Sequence, residues 1–440
     1  MIVMIPSEVY NKVIMTTFQL NDTDLREISH SETLLINEAQ DKLRESNNRI
    51  YKFGFGQSPF SPPELAIRSL KEHASEHDYL PVAGLKECRE AVAKAHSGYR
   101  DDITSDDIVI APGSKMIIYA VMACYKNATV LLPQPSWVSY APQASLLNHD
   151  VQLIPTSFEA EWKISAEALN EACQNTKSDS PLILVLNYPG NPTGMTYSSE
   201  ELKSLAEAAR KNNVLVISDE IYAWLNHNNE HASIAKFYPE GTFITTGLSK
   251  WCGAGGWRFG TGIFPLNASK EFKITYNGIA SETYSTTAAP VQFAATDIYN
   301  NMDKLVPFID AQRKILQELS KIIVNDLKQA NVRIHQPNGG FYIFPDFSNY
   351  KSQLLNKGID TAEKLCVELL NQKGVAMLPA SAFGFDETHF YSRMCYVDFD
   401  GSAAIEAFQN GAELNREFFE THTPSVIGGI QALCDYLTSL

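Results

Sequence analysis

The chain of 440 residues has no stretch that approaches the roughly 18 consecutive apolar residues needed to cross a bilayer. Its start, MIVMIPSEVYNKVIM, has neither a basic beginning nor a continuous apolar run, so we expect no signal peptide. Basic residues are in deficit, 36 against 51 acidic ones, for a formal net charge of -15. These absences predict a soluble protein that binds neither membrane nor nucleic acid.

Paired cysteines are also lacking. The seven cysteines are scattered, and no two of them form a C-x-x-C pair. This spacing argues against a disulfide framework and against a zinc site, so we expect reduced thiols, a cytoplasmic location and no metal.

Short β-branched runs alternate with helical patterns through the middle of the chain, and 44% of the residues are hydrophobic. This alternation predicts an α/β fold with a mostly parallel sheet covered by helices. The predicted strands lie at residues 107–111, 129–133, 181–187, 214–219, 242–246 and 261–264. We expect a large domain over residues 66–305 and a smaller α+β domain over 306–440. The N-terminal segment, residues 1–65, would join the small domain and includes a predicted helix at residues 31–47.

Chemically reactive side chains follow these strands one after another. Because open α/β sheets bind ligands outside the carboxyl ends of their strands, we expect the side chains to meet in one crevice. They are the side chains of Ser114, Lys115, Trp137, Asn191, Asp219, Tyr222 and Lys250, with the backbone of Gly113 beside them.

Residues 245–260 (TTGLSKWCGAGGWRFG) place a lysine after a strand, then a glycine-rich loop and an arginine. A desolvated Lys250 could form a Schiff base, and Arg258 could clamp a phosphate through its planar guanidinium group. Taken alone, a lysine after a strand is more often a solvated surface residue, and the glycines could mark a tight turn.

Several motifs occur together in the order and spacing of a known family. The chain resembles the class I and II aminotransferases, which have the aspartate aminotransferase fold (fold type I) and depend on pyridoxal 5'-phosphate (PLP). The resemblance runs from about residue 53 to the C-terminus. The motifs are residues 79–84 (YLPVAG), 135–140 (PSWVSY), 187–194 (NYPGNPTG), 218–222 (SDEIY) and Lys250 with Trp257-Arg258.

The resemblance implies a catalytic group made of Lys250, Asp219 and Tyr222. Lys250 would bond to the cofactor aldehyde and later act as general base. Asp219 would pair with the pyridine nitrogen, although such a carboxylate can also be a helix N-cap. Tyr222 and Asn191 would hydrogen-bond the phenolic oxygen, where the alternatives are a half-buried tyrosine and a turn asparagine.

The resemblance also implies the rest of the cofactor site. Trp137 would stack on the ring, and its alternative role is core packing. A helix start and Arg258 would hold the phosphate, and Tyr79 would reach the phosphate of a neighbouring subunit, which requires a homodimer. The residues given to the phosphate or its surroundings are Gly113, Ser114, Lys115, Ser249, Arg258 and Tyr79.

Arg393, in residues 391–396 (YSRMCY), falls where the family places the arginine that binds the substrate carboxylate. Gly56 would bring backbone close to the same group, and Asn191 would also contact the substrate. Two departures stand out. Gly247 replaces a serine that many members have three residues before the lysine, and residues 56–60 read GQSPF where G-E-P-x-F is common. No second arginine is recognisable for a side-chain carboxylate.

Three functions remain open. The first is an aminotransferase that moves an amino group between an α-amino acid and a 2-oxo acid, by a ping-pong reaction through pyridoxamine phosphate. The second is a lyase, β-eliminating or cyclising, on the same scaffold. The third is a non-catalytic PLP-binding regulatory module, for which the leader offers no basic recognition helix.

Overall fold

The computed structural model describes residues 49–176 and 180–440. The helix predicted at residues 31–47 lies outside them, as does most of the predicted N-terminal segment. Within the described ranges no helix is both long and apolar enough to cross a membrane.

The strands in chain order are β1 (Tyr51–Lys52), β2 (Ile108–Ala111), β3 (Thr129–Gln134), β4 (Asp150–Pro155), β5 (Leu182–Asn187), β6 (Val214–Asp219), β7 (Thr242–Gly247), β8 (Gly260–Ile263), β9 (Tyr342–Ile343), β10 (Val375–Ala376), β11 (Leu378–Pro379) and β12 (Ser392–Cys395).

The α-helices are α1 (Glu64–Glu72), α2 (Lys86–Ala95), α3 (Ser114–Ala123), α4 (Tyr140–Leu146), α5 (Ala166–Gln174), α6 (Ser199–Lys211), α7 (Lys270–Thr283), α8 (Ala289–Asn300), α9 (Met302–Gln329), α10 (Lys351–Asn356), α11 (Ala362–Lys373), α12 (Gly401–Gln409), α13 (Arg416–His422) and α14 (Pro424–Thr438). Helix α6 shows how local sequence sets a boundary. The side chain of Ser198 accepts a hydrogen bond from the amide of Glu201, whose carboxylate accepts one from the amide of Ser198.

The central sheet has the order β2-β8-β7-β6-β5-β3-β4. The pairs from β7 through β6, β5 and β3 to β4 are parallel, whereas β8 pairs antiparallel with both β2 and β7. The residues of β2 and β7 are buried throughout, as a sheet covered on both faces requires. The predicted α/β fold with a mostly parallel sheet is confirmed.

Strand β4 was not predicted. It lies at the edge of the sheet, pairs only with β3, and is exposed at three of its six residues. An edge strand with little apolar burial lacks the continuous apolar run by which the inner strands are recognised.

A second group of strands lies beyond the central sheet. β9, β11 and β12 form an antiparallel sheet in the order β11-β12-β9, and β1 pairs with β10 in parallel. The long helix α9 runs for 28 residues and precedes β9 in the chain. The domain boundaries after residues 65 and 305 stay a prediction, and the second lies in the first turns of α9.

Candidate active site

A cavity of ≈470 Å³ lies at the carboxyl ends of the parallel strands. This volume is in the usual range for a small-molecule site. All of the predicted site residues line it except Gly113, which borders it, and Tyr79. The lining includes Gly56, Ser114, Lys115, Trp137, Asn191, Asp219, Tyr222, Ser249, Lys250, Arg258 and Arg393.

Lys250 follows β7 and reaches into the cavity. Its Nζ donates a 2.8 Å hydrogen bond to the carbonyl oxygen of Gly56 and lies 5.5 Å from the ring centre of Tyr222. Desolvation lowers the pKa of Lys250 to about 8, and the cations of Arg393 and Arg258 act in the same direction. A substantial fraction of the amine is therefore neutral and nucleophilic near physiological pH.

Asp219 is the last residue of β6 and is buried. Its Oδ2 accepts a 2.6 Å hydrogen bond from the hydroxyl of Tyr140. Burial raises the pKa of Asp219 to about 6, and the hydrogen bond from Tyr140 opposes that rise. As a helix cap Asp219 would be weak, because its contact with the amide of Ile221 is 3.4 Å long. A buried carboxylate at the cavity suits a cationic ring nitrogen.

The partner of Asp219 was missed at the level of sequence. Tyr140 stands in the PSWVSY motif and begins α4. Its hydrogen-bond partner lies 79 residues further along the chain, and nothing in the motif indicates that partner. Tyr342 on β9 was missed as well: its hydroxyl lies 2.7 Å from the hydroxyl of Tyr222. Both tyrosines line the cavity.

A candidate anion site lies at the start of α3. The first amides of a helix have no acceptor within the helix and attract anions. Gly113 precedes them with φ 93°, and a Cβ there would lie 2.1 Å from the guanidinium of Arg258. Arg258 is held by hydrogen bonds to the carbonyls of Gly255 (2.8 Å) and Pro112 (3.1 Å). Glycine at 113 therefore lets the guanidinium group lie against the helix start.

The structure gives a reason for the glycine that departs from the family pattern. A Cβ at Gly247 would lie 2.5 Å from the carbonyl oxygen of Phe259. Because β7 and β8 pair closely at Gly247 and Gly260, a serine at 247 does not fit this backbone. The anion site relies on the helix start and Arg258 instead.

Arg393 on β12 is 1% exposed, although it is charged. One of its terminal nitrogens donates to Oδ1 of Asn191 at 3.3 Å, and the other donates to the carbonyl of Gly54. Its buried Nε has no partner among the described residues. Since a buried guanidinium group is costly without an anion, Arg393 is a candidate receptor for a carboxylate at the cavity wall.

Gly56 and Trp137 complete the walls. A Cβ at Gly56 would lie 2.2 Å from the hydroxyl of Tyr342, so only glycine fits beside that ring. Trp137 is half-buried, and the ammonium group of Lys115 lies 4.9 Å from its ring centre. Tyr79, by contrast, is 94% exposed.

The groups that line the cavity together fit PLP. The cavity offers an amine of lowered pKa for an aldehyde, a buried carboxylate for a ring nitrogen and a helix start with a guanidinium group for a phosphate. In the part of the chain that is described, no group of three or more His, Cys, Asp or Glu residues could hold a metal ion.

Comparison with known proteins agrees with this chemistry. The family model "Aminotransferase class I and II" matches residues 48–399. A probable aspartate/prephenate aminotransferase of Aquifex aeolicus is 32% identical over 81% of this chain and 90% of its own length. An asparagine–oxo-acid transaminase of Streptococcus mutans is 29% identical over 82% and 91%.

Solved structures share the fold. An aspartate aminotransferase from Thermus thermophilus, solved with maleate, superposes with a TM-score of 0.79 at 22% identity, over 93% of this chain and all of that one. An aspartate aminotransferase from Thermotoga maritima gives a TM-score of 0.76 at 24% identity, over 94% and 98%. The chain thus has fold type I, and the curated relatives favour amino transfer over the lyase reaction. The chain belongs to the class I and II aminotransferase family and is a PLP-dependent aminotransferase.

Proposed function

We propose that this aminotransferase acts on an acidic α-amino acid at a site shared between the two subunits of a cytoplasmic homodimer. The observation that carries the substrate class is a second cation. Lys115 lines the same cavity as Arg393, so one α-amino acid can present its two carboxylates to two separate positive groups. No second arginine is required for this arrangement.

The relatives support this substrate class. The Aquifex aeolicus relative is named for aspartate and prephenate, and aspartate carries two carboxylates. The Streptococcus mutans relative is named for asparagine, whose side chain is a neutral amide. Both substrates therefore belong in the experimental test.

The residues divide the work of the reaction. PLP, when bound, supplies an electron sink for the negative charge that develops at the substrate Cα. The amides at the start of α3 and the guanidinium of Arg258 would hold the phosphate, and Trp137 would lie on the ring face. Asp219 would accept a hydrogen bond from the ring nitrogen and keep that nitrogen protonated.

Proton transfer would fall to Lys250. Its Nζ, with a pKa lowered to about 8, can accept the Cα proton and later return it. Arg393 would bind the α-carboxylate through two parallel hydrogen bonds and so orient the Cα–H bond, and Asn191 would help through its hydrogen bond to that guanidinium group.

Tyr79 is the reason for proposing a homodimer. An almost fully exposed tyrosine in the YLPVAG motif gains no stability within its own subunit, and the motif implies a contact with the phosphate in a neighbouring subunit. The cytoplasmic location rests on the seven cysteines, all of which are free thiols.

The test is the first half-reaction in the absence of an oxo acid. Holoenzyme is mixed with aspartate, glutamate, asparagine, alanine or phenylalanine, and the loss of the cofactor absorbance is followed. We expect the two acidic amino acids to react fastest. Equal rates for alanine and aspartate would contradict the substrate class. Release of ammonia and pyruvate from serine or cysteine, whose β-substituent can leave, would restore the lyase alternative.

A further inference from the structure

Tyr342 contacts both Tyr222, a predicted cofactor residue, and Arg393, a predicted substrate residue. It stands on β9, is buried, and its hydroxyl lies 2.7 Å from the hydroxyl of Tyr222. The two rings meet edge to face, with centres 5.4 Å apart and planes at 89°. The Tyr342 ring also contacts Arg393, whose guanidinium carbon lies 5.4 Å from the ring centre.

At 2.7 Å either hydroxyl can donate to the other, and the neighbouring hydrogen bonds favour Tyr342 as the donor. The other acceptor near the Tyr342 hydroxyl is the carbonyl oxygen of Gly56, at 3.5 Å, and that oxygen already accepts a 2.8 Å hydrogen bond from Lys250. At 2.7 Å, the oxygen of Tyr222 is the better acceptor. When Tyr342 donates to it, the proton of Tyr222 remains available to the cavity, which Tyr222 lines.

We propose that Tyr342 is a positioning residue that donates its proton to the Tyr222 hydroxyl and thereby directs the Tyr222 proton onto the phenolic oxygen of the bound cofactor. A hydroxyl that accepts one hydrogen bond becomes a stronger donor of the next. The pair therefore stabilises the ionised phenolic oxygen and lowers the pKa of the cofactor–Lys250 chromophore. This inference rests on the proposed contact between Tyr222 and the cofactor.

The experiment is a spectroscopic pH titration of the holoenzyme chromophore in the absence of substrate. The variants are Tyr342→Phe, Tyr222→Phe and the double variant. We expect Tyr342→Phe to raise the chromophore pKa by about half to one pH unit, the size of one lost hydrogen bond. Tyr222→Phe should raise it further, and the double variant should equal Tyr222→Phe, because Tyr342 acts only through Tyr222.

Two control variants test whether the pKa change is specific to Tyr342 or follows from the loss of any buried tyrosine hydroxyl. Tyr396→Phe removes another buried tyrosine hydroxyl, one that contacts the carbonyl of Gly340 at 3.4 Å, and should leave the chromophore pKa unchanged. Tyr350→Phe removes a buried hydroxyl that donates a 2.6 Å hydrogen bond to the carbonyl oxygen of Ala330, outside the cavity, and should likewise leave the chromophore pKa unchanged. Cofactor content and the melting curve are recorded for each variant.

The outcomes distinguish the proposed contact between Tyr222 and the cofactor from the proposed role of Tyr342. If Tyr222→Phe leaves the chromophore pKa unchanged, the proposed contact of Tyr222 with the cofactor is wrong and the inference is overturned with it. If Tyr222→Phe raises the pKa but Tyr342→Phe does not, the inference alone is overturned. Additive shifts in the double variant would also overturn it, since Tyr342 would then act independently of Tyr222.

Discussion

The hydroxyl of Tyr140 donates a 2.6 Å hydrogen bond to Oδ2 of Asp219, and both side chains are buried. The bond joins the start of α4 to the end of β6 and leaves Oδ1 free of any short hydrogen bond from its own loop. It also opposes the desolvation that raises the pKa of Asp219 to about 6. Tyr140 therefore favours the ionised form of this carboxylate at the cavity wall.

Tyr140→Phe is expected to raise the pKa of Asp219 above its value of about 6, because the buried carboxylate loses a charge-assisted hydrogen bond. The loss of roughly 1.5–3 kcal/mol corresponds to about one to two pH units. Since the ionised form binds a protonated ring nitrogen, PLP affinity of the apoenzyme should weaken at a higher pH than in the wild type. Equilibrium titration with PLP from pH 5 to 8 measures this shift. Asp219→Asn gives the pH dependence of PLP itself, and an unchanged midpoint in Tyr140→Phe would contradict the role of Tyr140.

Covalent attachment of PLP to Lys250 should accelerate as the pH rises to about 8 and level off above it, because only the neutral amine attacks an aldehyde. Brief exposure of apoenzyme to PLP, borohydride reduction and peptide mapping would measure the labelled fraction at each pH. Lys250→Ala is the control and should carry no label on the corresponding peptide. A rate that keeps rising towards pH 10, as for an ordinary lysine with a pKa near 10.4, would show that Lys250 is not desolvated.

Arg393→Lys keeps the positive charge but loses the planar pair of donors, so it should raise KM for amino and oxo acids alike. We expect a loss of roughly 2–3 kcal/mol in kcat/KM, while PLP binding is retained by the start of α3 and Arg258. Steady-state kinetics and cofactor content measure the two effects. The wild type should turn over an amino acid far faster than the corresponding decarboxylated amine. Equal turnover of the amine would exclude a carboxylate role for Arg393.

Lys115→Met removes the second cation and keeps an unbranched side chain beside Trp137. It should lower kcat/KM for aspartate by roughly tenfold to a hundredfold, the cost of one hydrogen bond to a charged group. The kcat/KM for alanine should change by no more than about twofold. Lys115→Arg is the matched variant that retains the charge and most of the aspartate activity. An equal loss for both amino acids would place Lys115 in the phosphate site alone.

Tyr79 provides a test of the shared site. Tyr79→Ala and Lys250→Ala should each be impaired as homodimers. Mixed dimers should regain activity, because one of the two sites then has an intact Lys250 and receives Tyr79 from the other protomer. Unfolding and refolding the two variants together, followed by an activity assay and sedimentation, measures this. Mixed dimers without restored activity would show that Tyr79 does not reach across.

Much of this protein follows from local sequence. The inner strands are recognisable because a sheet covered on both faces needs continuous apolar runs, and β5 and β6 end in the polar residues Asn187 and Asp219. Parallel strands end at one edge, so the order of strands and polar residues already predicts that Asp219 and Lys250 meet in one crevice.

Other features depend on the tertiary structure. Tyr140 and Asp219 lie 79 residues apart, and Tyr222 and Tyr342 lie 120 apart, so no periodicity links either pair. The edge strand β4 lacks a continuous apolar run, and the exclusion of a side chain at Gly247 arises only when the backbone of β8 packs against it. Sequence determined which residues can carry out the chemistry, because residue type and strand position are local properties. Tertiary packing decided their partners and pKa values, because burial and distance depend on segments that meet only in the folded chain.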